Sequence, residues 1–106
     1  MLNENLPISE QYRIIAKKWV DADAAASILE ETKSAVLSKM MADLGDMPVS
    51  RAEMRVKASD EWRDMVIRMV EARKCASILK VQLEYIKMKA SEIQSHEATR
   101  RAEMKL

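Results

Sequence analysis

Apolar residues recur at intervals of three and four along two long stretches of the chain, separated by a short segment that contains proline. This spacing places apolar side chains on one face of an α-helix. Neither long stretch contains glycine or proline, both of which interrupt helices. We predict a single all-α domain with a tail over 1–8, long helices over 9–44 and 60–104, and a short helix over 51–58.

Residue types at the ends of these stretches are typical of helix boundaries. Ser9 and Ser59 are candidate N-caps for the long helices. Gly45 is suited to end the first helix, because glycine readily adopts the left-handed conformation found after helix ends. Ser50 and Glu53 have the spacing of a capping box at the start of the short helix.

In both long stretches, heptad positions a and d carry mostly apolar residues for more than four heptads, which is typical of coiled-coil packing. We predict that the long helices form an antiparallel hairpin in which Leu29 faces Ala76 and Ala22 faces Leu83. In this register a large side chain covers a small one, which lets the helices approach closely. It also brings Asp23 near Lys80 and Glu30 near Arg73, at positions that flank the seam.

A faint repeat relates the two halves of the chain at an offset of 50 residues. The tetrapeptide Ala-Ser-Ile-Leu occurs at 26–29 and again at 76–79, and Arg-Ala-Glu-Met occurs at 51–54 and again at 101–104. Either a duplication or convergence on similar heptads produces such a pattern.

Composition offers little for catalysis. The chain of 106 residues has a net charge of +1, one glycine, one histidine and one cysteine. A single glycine is incompatible with the glycine-rich loops that hold phosphates. His96 lies in a polar stretch and Cys75 flanks the seam without a nearby base. We therefore predict a protein that is not an enzyme and needs no cofactor or metal.

The expected compartment is the cytoplasm. An isolated cysteine suits a reducing environment, and the first ten residues lack the basic and apolar regions of a signal peptide. No apolar run approaches the length of about 20 residues that spans a bilayer.

A second apolar row lies on the second long helix, at heptad positions c and f, opposite the seam. It consists of Ile78, Val81, Tyr85 and Met88. We call these four residues the outer row. An exposed apolar row is typical of a contact surface, and we predict that it joins copies of the chain into a multi-helix homo-oligomer. The alternative is that the short helix or a terminal tail covers it.

Basic residues on the second long helix suggest a different function, direct nucleic-acid binding through phosphate contacts. The candidates are Arg68, Lys74, Lys87, Lys89, Arg100 and Arg101. The alternative is an ordinary solvated helix face in which the neighbouring cations are engaged by acidic residues of the first helix.

The order of features from about residue 30 to 101 resembles a family of small helical proteins encoded by tailed phages and prophages. The residues that carry the resemblance are Glu30, Glu31, Lys33, Ser34, Leu37, Met40, Met41, the Pro48–Ser50 turn, Arg51–Glu53 and Asp60–Trp62. The chain departs from the family at Ile93 and Gln94, where a tryptophan–arginine pair is expected. Members of this family tend to be encoded near phage recombination genes, so the resemblance implies an accessory role in phage DNA metabolism, in the cytoplasm of a bacterial host cell.

Three functional hypotheses follow from the sequence. The first is a non-enzymatic interaction protein that modulates phage or host DNA recombination or repair through protein contacts. The second is direct DNA binding by the basic residues. The third is a structural component of a phage particle.

Overall fold

The computed structural model describes residues 5–105. Within them lie three helices, α1 (Ile8–Asp43), α2 (Val49–Lys57) and α3 (Asp60–Met104), and no strand. The long helices α1 and α3 pack against each other as an antiparallel hairpin, and α2 packs at the turn between them. The predicted all-α hairpin is confirmed.

Two of the predicted boundaries depend on single residues that behave as expected. Gly45 follows α1 with a φ of 84°, a left-handed conformation that glycine adopts without a steric penalty. The Ser59 hydroxyl accepts a hydrogen bond from the backbone amide of Trp62 at 3.2 Å, so it caps the N-terminus of α3.

The other two predicted N-caps are wrong. Both α1 and α2 begin directly after a proline, and neither has a side-chain cap. The carbonyl of Pro7 accepts from the amide of Gln11 at 3.0 Å, and that of Pro48 does so from Ala52 at 3.0 Å. Proline's restricted φ favours entry into the helix, so each helix starts before the serine that was expected to cap it.

The Glu53 carboxylate therefore does not complete a capping box. It pairs instead with Nζ of Lys57, 2.7 Å away and one turn later in α2. This is an exposed pair within one helix, worth a few tenths of a kcal/mol.

The register between α1 and α3 differs from the predicted one by about one heptad, roughly 10 Å along the helix. Leu83 lies in the same buried cluster as Ile15, one heptad before its predicted partner Ala22. In agreement, Nζ of Lys87 lies 5.9 Å from the centroid of the Tyr12 ring. The predicted pairing of Leu83 with Ala22 is wrong, and the other predicted layers shift with it.

A buried cluster at the turn end accounts for the shift. It is formed by Val56, Trp62 and Met65, packed against Val36, Leu37, Met40, Met41 and Val66. The predicted register would place Trp62 opposite Asp43, the last residue of α1. In the structure its indole is buried among apolar side chains instead, with Nζ of Lys33 5.9 Å from the ring centroid. Burial of this large ring outweighs the matching of large and small layers.

The second buried cluster lies towards the N-terminus of α1, where Ile15, Leu83 and Ile86 pack with Ile8, Ala16, Trp19 and Leu79. The buried Gln11 amide donates a 2.7 Å hydrogen bond to the Leu6 carbonyl. This bond ties the residues before α1 to its first turns.

Between the two clusters the helices meet through alanines. Ala26 and Ala76 are 0% and 1% exposed, and they occupy equivalent positions in the offset-50 repeat. Small side chains at these positions allow the backbones of α1 and α3 to approach closely in the middle of the hairpin.

The molecule is elongated, with extents of 83 × 22 × 17 Å. Of the helices within residues 5–105, none combines the length and apolar character needed to cross a membrane.

Candidate protein-interaction surface

The outer row lies on the side of α3 that faces away from α1. Its four side chains are between 49% and 64% exposed. Ile78 and Val81 line a shallow depression together with Lys74, Ser77 and Gln82. The row is therefore an apolar surface on a well-formed helix, available to another protein.

The short helix does not cover this row. The buried face of α2 consists of Ala52 and Val56, and Val56 packs in the cluster at the turn end. The chain just before α1 is bound to the first turns of α1 by the hydrogen bond between Gln11 and Leu6. The alternative in which α2 covers the row is wrong, and residues 1–4 lie outside the described part of the chain.

Two exposed charges of opposite sign bracket the row. Lys74 lies four residues before Ile78, and Glu92 lies four residues after Met88. Neither makes an ion pair within residues 5–105. The sequence prediction included Lys74 only as a possible phosphate contact and gave Glu92 no role in this surface.

The six basic candidates do not form one face. Arg68 and Lys89 occupy g positions on one flank of the α3 seam, whereas Lys87 and Arg101 occupy e positions on the other flank. Lys87 also lies over the ring of Tyr12. Of the remaining two, Lys74 lies at an f position and Arg100 lies beyond the end of α1, so the cations are spread around the helix and along it.

The strongest polar contact between the helices is at Arg73. Its guanidinium donates to Asp23 at 2.6 Å and to Glu30 at 2.8 and 2.9 Å. The predicted pair of Glu30 with Arg73 is confirmed, while that of Asp23 with Lys80 is wrong because Arg73 bonds both carboxylates. Lys80 makes no ion pair within the described residues.

These contacts shift the protonation equilibria of the groups involved. The hydrogen bond from Arg73 lowers the pKa of the Glu30 carboxyl below its ordinary value of 4.5. The same bonds raise the pKa of Arg73 above its already high value. The three side chains are 37–41% exposed, so water screens the attraction and its main effect is on register.

Further apolar side chains are exposed at positions that the sequence prediction did not select. Val20 and Val70 are equivalent in the offset-50 repeat, and each is 56% exposed. Ile67 on α3 is also exposed. The offset-50 repeat is the sequence feature that could have singled out two of these positions, since it relates Val20 to Val70.

Residues 5–105 contain no group of three His, Cys, Asp or Glu side chains arranged to hold a metal ion. His96 and Cys75 are both exposed, and Cys75 lies at a position that flanks the seam. No family model, curated protein or solved structure matches this chain.

Proposed function

We propose that this chain is a non-enzymatic interaction protein that acts through protein–protein contacts made by the outer row. The observation that supports the proposal is the row's exposure on a long helix whose opposite face is already engaged with α1. Leaving four apolar side chains in water has no structural benefit for a single hairpin. A partner helix would remove them from water.

Burial of the row balances the cost of association, so an assembly of copies depends on concentration. Burying the exposed half of eight such side chains, four from each of two copies, contributes on the order of 6–12 kcal/mol. Association costs about 4–15 kcal/mol in lost freedom of motion. These terms are comparable, so contacts beyond the row decide the affinity.

Light scattering over a range of concentrations tests the proposal. The wild type should double its mass as concentration rises, and the variant Val81→Glu/Tyr85→Glu should stay monomeric because two charges would be buried. Val20→Glu is the matched control, since Val20 is equally exposed but lies on α1. If the row variant retains its helical circular dichroism and still doubles its mass as the wild type does, the proposal is contradicted.

The resemblance to phage-encoded helical proteins extends the proposal to a partner from DNA recombination or repair. Affinity purification from infected cells with the wild type and with the row variant addresses this extension. A recombination or repair protein recovered with the wild type alone supports it. Recovery of virion proteins instead would favour a structural component of the particle.

Direct DNA binding is less well supported than protein contact. The six basic candidates are spread over both flanks of α3, so they do not present the continuous cationic surface that phosphate contacts require. A gel shift at two salt concentrations separates the hypotheses. Binding that weakens steeply with salt and is lost in Arg100→Ala/Arg101→Ala would favour DNA over protein as the partner.

A further inference from the structure

The spacing of residues along the outer row is the same in both directions. Successive members are separated by three, four and three residues, and the charged residues Lys74 and Glu92 each lie four residues beyond an end. A helix with such a palindromic pattern can pair with an antiparallel copy of itself about a twofold axis, and every position then meets a matched position.

We infer that the outer row is occupied by a second copy of this chain, with the two α3 helices antiparallel about a twofold axis between Val81 and Tyr85. This inference rests on the proposed function of the row. Val81 then packs against Tyr85 of the second copy, and Ile78 packs against Met88 of the second copy. The assembly is a layer of four helices in the order α1, α3, α3 of the second copy and α1 of the second copy.

The flanking charges select this orientation. In the antiparallel alignment Lys74 faces Glu92 of the second copy, and the symmetry produces this pair twice. A parallel alignment in register would place Lys74 beside Lys74 and Glu92 beside Glu92. Both side chains are exposed and make no ion pair within the described chain, so they are free for this contact.

The α1–α3 seam shows how flanking side chains meet across an antiparallel helix pair. There Arg73 reaches Asp23 and Glu30 across the interface from flanking positions. In the antiparallel α3 pair the flanking positions at the twofold axis are Gln82 on one side and Glu84 on the other, and each would meet its own copy. The glutamine side chain carries both a donor and an acceptor, so the Gln82 contact can be satisfied by hydrogen bonds.

The unequal lengths of the long helices agree with the same arrangement. Helix α3 has 45 residues and α1 has 36, and residues 91–105 are all exposed because α1 does not extend beside them. The outer row lies near the middle of α3. Antiparallel copies centred there overlap over the full length of α3, and each exposed end lies beside the turn end of the other copy.

Charge reversal tests the orientation. Lys74→Glu alone and Glu92→Lys alone should each raise the dissociation constant of the dimer about tenfold, since each replaces two attractions by two repulsions. The double variant Lys74→Glu/Glu92→Lys restores the pairs and should return to within about threefold of the wild type. Failure of the double variant to recover would overturn the inferred alignment.

Disulfide cross-linking gives an independent test. Ser77 and Ser91 of different copies lie side by side in the antiparallel pair. Two variants of different mass, Ser77→Cys and Ser91→Cys, each with Cys75→Ser, are mixed and oxidised. A covalent product that contains one chain of each kind is expected. Neither variant oxidised alone should form a covalent dimer.

The outcomes separate this inference from the proposed function. A wild type that doubles its mass without forming the mixed cross-link would overturn the antiparallel alignment while the proposed function stands. A wild type that stays monomeric at all concentrations would overturn both. Dimerisation with the mixed cross-link and with charge-reversal recovery supports both.

Discussion

The guanidinium of Arg73 lies 2.6 Å from the carboxylate of Asp23, the residue at the equivalent position of the offset-50 repeat. Equivalent residues of two antiparallel helices can touch only near the axis that relates those helices. The contact therefore marks the middle of the hairpin. The carboxylate of Glu30 accepts a further hydrogen bond from Arg73 at 2.8 Å. This short network aligns the alanine-rich centre of α1 with that of α3.

The network makes stability depend on pH in acid. The pKa of Glu30 is lower in the folded state than its ordinary value of 4.5. The stability that this carboxylate contributes is therefore present above pH 4.5 and is lost as pH falls through the lowered folded-state pKa. We expect the melting temperature of the wild type to exceed that of Arg73→Met by a few degrees at about pH 7, and the difference to be smaller at about pH 3. Thermal melts at both pH values check this.

The Glu10–Arg13 pair serves as an internal control for that experiment. Its hydrogen bond also lowers the pKa of Glu10, but the pair lies within α1 and is present in both proteins. Its effect therefore cancels in the comparison. A difference between wild type and variant that is the same at both pH values would contradict the role assigned to Arg73.

The close approach of the helices at Ala26 predicts a penalty for larger side chains. Ala26 is completely buried, so Ala26→Leu should reduce the free energy of unfolding by about 1–3 kcal/mol through overpacking. Ala24→Leu introduces the same side chain at an exposed position of α1 and should change stability by less than about 0.5 kcal/mol. Urea denaturation followed by circular dichroism measures both. Equal stability of the two variants would rule out close packing at Ala26.

Two isoleucines offer a matched test of the core. Ile86 is 2% exposed and Ile28 is 61% exposed. Ile86→Ala should lower the free energy of unfolding by about 2–5 kcal/mol because it leaves a cavity, whereas Ile28→Ala should lower it by less than about 0.5 kcal/mol. Chemical denaturation compares them. A larger loss at Ile28 would contradict the assigned burial.

The helix caps give a prediction on which sequence and structure disagree. Ser59 accepts a hydrogen bond from the Trp62 amide, so Ser59→Ala should cost about 0.5–2 kcal/mol. Ser50 lies inside the first turn of α2, which has no side-chain cap, so Ser50→Ala should change stability by less than about 0.5 kcal/mol. Melting temperatures of the two variants decide the matter. A comparable loss of stability in Ser50→Ala would show that Ser50 caps α2 as the capping box predicted.

Local chemistry explains which boundaries the sequence predicted well. Helix α3 has the predicted bounds because Ser59 caps it and no competing residue precedes it. Helices α1 and α2 begin earlier than predicted because Pro7 and Pro48 stand just ahead of the serines. Proline can start a helix without a side-chain cap, and the capping pattern alone does not reveal which of two adjacent candidates is used.

The outer row was identifiable from the sequence because its spacing on a helix decides which way its side chains point. Its exposure required the structure, since α2 could have covered it. The position of α2 depends on the apolar pocket that holds Val56, and the side chains around that pocket come from both α1 and α3.

The sequence by itself determined the all-α class, the antiparallel hairpin and the apolar face of each helix, because helical periodicity and helix-ending residues act locally. Only the tertiary structure decided the register. A heptad seam remains matched when one helix slides by seven residues, so the pattern permits several alignments. The burial of Trp62 and the attachment of Arg73 to both Asp23 and Glu30 select one of them. Those contacts join residues distant in the chain, whose distances no local pattern encodes.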